Sequence, residues 1–305
     1  LFIEEVLEEF LMELEIKNYS KKTIISYKFN NVQLMKWLDS ELNIKEIDKV
    51  KVIYLKKYIH YLQETEHKPS YINRVIKCLR AFFRYAFDEE IIKENPTLKM
   101  SWVKEQKTVI NTFTDEEVYK MMNVYKGNDF INLRNRCIMA LFLDTGIRCM
   151  ELRNIKDKDI RGDTLLIEQG KGNKDRFIAL SPYTRKIIMK YQRSRNQKFK
   201  DRVINEDTNL ILSTYFLPIS ETPIERVVKI CGEKAGVRNE IRCSPHDCRH
   251  YFAQKQLRLG NDVYSVSRLL GHENTQITTR YLKSIQDADI ISKSIKTSPL
   301  MNMRK

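Results

Sequence analysis

Three of the five histidines in this 305-residue chain fall within one stretch, Ser244 to Leu282. His246 precedes Arg249 by one helical turn, His272 follows Leu270-Gly271, and Tyr281 stands near the end. These residue types can act together on a phosphate. Arginine forks grip its non-bridging oxygens, histidine carries protons near neutral pH, and a phenol can attack phosphorus. Taken one at a time, each residue has a plainer reading. A lone histidine is usually a hydrogen-bonded structural residue, and Tyr281 is one of fifteen tyrosines. The joint pattern carries the chemistry.

Composition narrows the partner. Lysine and arginine exceed aspartate and glutamate by 14, and a positive excess of this size favours a polyanion, nucleic acid ahead of a membrane surface. The first predicted helix is acidic (Glu4, Glu5, Glu8, Glu9, Glu13, Glu15), so the positive charge is concentrated elsewhere. No apolar run is long enough for a membrane span, and Leu1-Phe2-Ile3-Glu4-Glu5 lacks the basic start of a signal peptide. The six cysteines are scattered and read as reduced cytosolic thiols. Cys243, His246, Cys248 and His250 raise the question of zinc, but their spacing fits no standard finger and no metal is expected.

The elements that must position these residues read as mainly α with a small antiparallel β-sheet. Helices are predicted over 2–16, from Ser20 as N-cap, over 51–63, and over 71–88 after Lys68-Pro69-Ser70. The last carries an apolar stripe, Ile72, Val75, Ile76, Leu79, Phe83 and Ala86. On another side runs a basic row, Arg74, Lys77, Arg80 and Arg84, suited to successive DNA phosphates. Asn95-Pro96 ends this unit and residues 97–111 read as a linker, with the boundary near 105. The domains are therefore 1–104, linker 105–111 and 112–305. In the second unit, Thr114-Asp115-Glu116-Glu117 is a capping box, and 132–144 is an apolar helix stopped at Gly146. Arg148 and Glu151 share a face of a short helix. Residues 164–168 and 176–180 form a hairpin with Lys171 at its tip, where Lys174 is an alternative. Helices follow at 183–195, from Thr222-Pro223 to Ala235, after Ser244-Pro245 and over 262–270, with a short strand at 209–213.

Five motifs occur in order: Thr145-Gly146-Ile147-Arg148-Cys149-Met150-Glu151-Leu152, Gly170-Lys171-Gly172-Asn173-Lys174, His246-Asp247-Cys248-Arg249-His250, Leu269-Leu270-Gly271-His272 and Thr279-Arg280-Tyr281. Together they resemble the tyrosine recombinase (phage integrase) family, and the helical N-terminal part resembles that family's SAM-like core-binding domain. The resemblance covers nearly the whole chain. It implies that Arg148 and Arg249 hold the scissile phosphate and Lys171 protonates the leaving 5′-oxygen. His246 and His272 would occupy the two histidine positions, Glu151 would support the first arginine, and Tyr281 would form a 3′-phosphotyrosyl bond. Ala179 stands where the family often has proline and Cys248 where it often has leucine; neither touches the chemistry. His250 is expected to be structural support.

The same resemblance implies double-stranded DNA core sites as partner and a homotetramer on DNA through a C-terminal helix near 285–295. An accessory directionality factor is a further candidate partner. No cofactor is implied, and the location is the bacterial cytoplasm, at the nucleoid. The expected role is the integrase or transposase of a mobile element, ahead of a Xer-like chromosome-dimer resolvase. A type IB topoisomerase or a non-enzymatic DNA-binding regulator would be other uses of the same surfaces.

Overall fold

Local signals in the sequence start many of the helices. Ser20, Thr114, Asp129, Ser181, Ser244 and Asp262 each accept a hydrogen bond from a first-turn backbone N–H, at 2.9 to 3.4 Å. Such a cap contributes about 1 kcal/mol. The computed structural model describes residues 1–106, 110–168, 175–272, 274–284 and 303. It divides into two units, Leu1–Lys107 and Thr108–Lys305.

The first unit is helical: α1 (Ile3–Ile16), α2 (Lys21–Leu42), α3 (Val52–Glu64) and α4 (Pro69–Asp88). Helix α4 starts two residues earlier than its sequence suggests, because Pro69 is itself suited to the first helical position. Its apolar stripe forms the middle of the core, with Val75, Ile76, Leu79, Phe82 and Phe83 fully buried. Phe10 of α1 meets Tyr27, Phe82 and Tyr85 at ring separations of 5.4 to 5.7 Å. The stretch 97–103, read from sequence as linker, packs on this unit. Met100 is buried, and Asn73 exchanges two hydrogen bonds with the backbone of Val103, both 2.9 Å.

In the second unit, α5 (Asp115–Met122) opens on the predicted capping box. Helix α6 (Phe130–Thr145) is apolar on nearly all sides and forms the centre of the larger core. Gly146 ends it at φ +62, a left-handed conformation that costs glycine nothing. Next come α7 (Cys149–Asn154) and a three-stranded antiparallel sheet: β1 (Ile160–Arg161), β2 (Thr164–Ile167) and β3 (Arg176–Ala179), in that order. Ile167 faces Arg176 and Leu165 faces Ile178 across the β2–β3 ladder. Then follow α8 (Pro182–Lys198), α9 (Glu221–Ala235), α10 (Pro245–Leu259), α11 (Val263–Leu270), α12 (Thr275–Thr279) and a 3-10 turn at Arg280–Ser284. The fold is mainly helical with a small sheet, as its sequence implied.

Residues 209–213 correct one expectation. They form no strand in the sheet, only isolated bridges at Asn209 and Leu212. Leu210, Ile211 and Leu212 are all buried, and in place of a ladder their backbone is met partly by the backbone of Ile155 and Ile219 and partly by side chains. Arg195 donates to the carbonyls of Asn209 and Leu210, and the Tyr191 hydroxyl accepts from the Leu212 N–H. Arg195 is almost wholly buried and pairs with Asp157 at 2.6 Å.

Candidate active site

The site is built on the C-terminal end of α11. Its last turn and the residue beyond offer three consecutive carbonyls, and each accepts from a different arginine. Arg176 Nε reaches the carbonyl of Leu269 at 2.9 Å, Arg249 Nη2 that of Leu270 at 2.7 Å, and Arg148 Nη2 that of Gly271 at 3.2 Å. Carbonyls at a helix end have no partner within the helix and carry partial negative charge, so cations are favoured there.

Each arginine arrives from a different element. Arg148 is the N-cap of α7, just outside the helix that its sequence suggested would hold it. Glu151, in the first turn of α7, accepts from the Arg148 backbone N–H at 2.8 Å and pairs with its Nη1 at 2.9 Å. Arg249 lies on α10 and sends Nη1 to the Gly146 carbonyl at 2.7 Å. The left-handed turn at Gly146 is needed here twice, since a Cβ would also meet Phe252 at 2.5 Å. Arg176 opens β3 and grips both Glu151 oxygens, at 2.9 and 2.7 Å. Gly271 lies against it: a Cβ there would sit 2.9 Å from Arg176 Nη1.

Burial would raise the Glu151 carboxyl, but the hydrogen bonds and charges of Arg176 and Arg148 outweigh it and hold the group at about 2. Arg249 is pulled down to about 10 by burial and by the neighbouring charges of Arg148 and Arg176. His272 Nδ1 meets Thr278 Oγ1 at 2.8 Å. Burial, then Arg249, Arg148 and Arg176, depress this imidazole to about 4, so it is neutral at pH 7. His246 is exposed, with its ring 4.2 Å from that of His250.

Tyr281 is 3 % exposed and packs with Phe252, Leu257, Val266 and Leu270. Its hydroxyl lies 2.8 Å from His250 Nδ1. Burial raises the phenol, while Arg249, Arg280 and Arg148 pull it down. Burial and the charge of His246 push His250 down to about 4. The residue expected to be structural support therefore contacts the expected nucleophile.

Of the sequence-derived site, Arg148, Glu151, Arg249 and His272 are brought together around the α11 terminus, and Tyr281 joins through α10. Lys171 and Lys174 lie outside the described residues, as does the helix expected near 285–295. Arg176 was missed by sequence reasoning. Its signal was present: it shares a strand face with buried Ile178, and a charged residue on an apolar strand face calls for a buried partner. In the first unit, Arg74, Lys77 and Arg84 are exposed. Arg84 pairs with Asp88 at 3.0 Å. Arg80 donates to the Met100 carbonyl and stacks 4.5 Å over Trp102. Among the described residues no group of three or more His, Cys, Asp or Glu could hold a metal, and no helix is long and apolar enough to cross a membrane. The Cys243 thiol is pushed up to about 11 by burial, and none of the six cysteines is in a disulfide.

Among the described residues a guanidinium trio with one carboxylate, three histidines and a tyrosine is an arrangement for phosphodiester chemistry, and comparison with known proteins agrees. Residues 111–287 match the phage integrase family and residues 2–102 the phage integrase SAM-like domain. The chain belongs to the phage integrase family, the tyrosine recombinases, which cleave and rejoin DNA through a tyrosine intermediate. It is 34 % identical over 283 residues to tyrosine recombinase XerC of Staphylococcus aureus (strain JH9), covering 90 % of each chain. Its fold is similar to XerH site-specific recombinase bound to palindromic difH substrate. There the TM-score is 0.76 at 18 % identity, covering 92 % of this chain and 81 % of that one. A lambda integrase dimer bound to a COC′ core site matches with a TM-score of 0.73 at 19 % identity, over 92 % of this chain and 95 % of that one.

Proposed function

We propose that the chain is a site-specific DNA recombinase in which Tyr281 attacks the scissile phosphate, leaving a 3′-phosphotyrosyl bond and a free 5′-hydroxyl. Arg148 and Arg249 hold the non-bridging oxygens and stabilise the charge that grows on them in the transition state. Lys171 protonates the leaving oxygen, and His246 and His272 manage protons and orientation at the phosphate. Attack by a 5′-hydroxyl on the ester reverses the step, so strands can be exchanged without an outside energy source. The observation that supports this most is the convergence of Arg148 and Arg249 on adjacent carbonyls of one helix end, beside His272.

Exposed Arg74 and Lys77 on α4 make backbone contacts to the duplex, and Arg84 joins them once released from Asp88. Four copies on two core sites exchange strands through a four-way junction in the cytoplasm. Similarity to XerC over nine-tenths of both chains favours a Xer-like resolvase of chromosome dimers over the mobile-element role that its sequence first suggested.

A nicked duplex carrying the core site tests the chemistry. The expected result is a covalent protein–DNA adduct, resistant to EDTA, that Tyr281→Phe abolishes. An adduct surviving that substitution overturns the nucleophile. Absence of any adduct favours a DNA-binding regulator. Recombination of paired sites, rather than relaxation of any supercoiled plasmid, separates a recombinase from a topoisomerase.

A further inference from the structure

We propose that Arg176 is a positioning residue of strand cleavage: by holding Glu151 and the end of α11, it leaves the Arg148 guanidinium free to face the phosphate. The inference rests on the reading of Arg148 as a phosphate ligand.

The geometry points away from direct contact. Arg176 is 9 % exposed, with both Nη atoms on Glu151 and Nε on the Leu269 carbonyl. Arg148 differs: its side chain is 31 % exposed, and it spends one Nη on Glu151 and the other on a longer contact to Gly271. The two arginines share one carboxylate, and the better-buried one takes the bidentate grip. A carboxylate prefers a two-pronged partner. Without Arg176, Glu151 would take both prongs from Arg148 and turn that fork into the protein. The Leu269 carbonyl would lose its donor in the same stroke, two residues before Gly271 and three before His272.

Arg176 also closes the base of the hairpin. It pairs with Ile167 across the ladder, five residues after Lys171 in sequence. It thus lies close along the chain to the expected general acid and shares Glu151 with Arg148 of the phosphate clamp. Lysine cannot replace it, because a single ammonium cannot reach two carboxylate oxygens and a carbonyl in one plane.

The test uses the full chain and the nicked core-site duplex, measuring DNA affinity and the single-turnover rate of adduct formation between pH 5 and 9. Arg176→Met and Arg176→Lys are each made alone and with Arg148→Ala. Arg176→Lys keeps the charge, and serves if Arg176→Met does not fold. Expected are DNA affinity within about threefold of wild type and an adduct rate lower by about 10²-fold, the order seen on removing one transition-state donor. In the Arg148→Ala background the same substitutions should cause no further loss, because both act through one guanidinium. Among the described residues the charged groups facing Glu151 are Arg148, Arg176 and Arg249. With Arg176 gone its carboxyl rises, and protonating it releases the Arg148 fork, so the Arg176→Met rate should recover towards acid pH, a dependence that wild type lacks.

Full loss in the Arg148→Ala background, loss expressed as affinity, an unchanged rate, or a profile merely scaled down would each overturn the proposal. Wild type and Tyr281→Phe run alongside. If wild type forms no Tyr281-dependent adduct, the proposed function itself fails and this inference falls with it.

Discussion

Glu151→Gln is the substitution whose consequence the structure sizes most directly. The change is isosteric and removes one buried negative charge that two arginines share. In the folded chain this carboxyl sits at about 2 against an ordinary 4.5. At about 1.4 kcal/mol for each decade, the difference corresponds to roughly 3 kcal/mol. That agrees with the ~3–5 kcal/mol expected on breaking a buried ion pair from one side. The sign follows from the depressed value: the stabilisation is full above about pH 4.5 and is lost as pH falls towards 2. Glu151→Gln should therefore be less stable than wild type by about 3 kcal/mol at pH 7, and the gap should close between pH 4.5 and 2. Urea unfolding of both proteins across that range, followed by far-UV circular dichroism, measures it. Both tryptophans, Trp37 and Trp102, lie in the first unit, so their fluorescence is an internal control that should not move. A gap that stays constant with pH, or no gap at pH 7, would refute the account of Glu151 as an ionised counter-charge.

Five further substitutions separate roles within each unit. Arg74→Ala and Lys77→Ala should each lower the salt slope of DNA binding by about 0.9 if each meets one phosphate. Arg80→Ala should instead shift Trp102 fluorescence and destabilise the first unit by about 1–3 kcal/mol, because Arg80 is committed to Met100 and Trp102; an unchanged melting transition would contradict this. Gly271→Ala should cost about 1–2 kcal/mol for the left-handed backbone and push Arg176 off Glu151, so adduct formation should fall with it; full activity would show that Arg176 has room to move. His250→Phe removes the Nδ1 that meets the Tyr281 hydroxyl, and nitration of Tyr281, mapped by peptide mass, should quicken. It should also remove a share of acid sensitivity: a histidine held at about 4 against 6.5 stabilises the fold above 6.5 and loses that contribution as pH falls towards 4.

What was legible in the sequence was local. Ser20, Thr114, Ser181 and Ser244 announced helix starts because a cap acts within one turn, and Gly146 announced an end because the backbone there is left-handed. Residues 209–213 misled because an apolar run looks the same whether a ladder or scattered loop and side-chain partners satisfy its backbone. At 97–103 composition is polar, yet Asn73, thirty residues away, holds the backbone of Val103. Arg148, Arg249 and His272 were readable from motif spacing, but the partner that organises them was not. Arg176 meets Glu151 across 25 residues and Leu269 across 93, and no periodicity encodes such distances. His250 escaped because its meaning depends on Tyr281, 31 residues on and reached only through the fold.

The end of α11 has a consequence for the protein without DNA. Among the described residues three guanidiniums meet there, and a single carboxylate answers them; carbonyl dipoles make up part of the remainder. Burial first, and then the charges of Arg148 and Arg176, pull the Arg249 guanidinium down. An anion in the cleft relieves repulsion that the free domain must otherwise contain, so it binds the folded chain and not the unfolded one. At a hundred times its dissociation constant it would add about 2.7 kcal/mol to the domain's stability. Sulfate or inorganic phosphate should raise the melting temperature of the second unit and leave the first unmoved beyond the general effect of salt. The scissile phosphate is then a missing piece of the folded domain's architecture as well as its substrate.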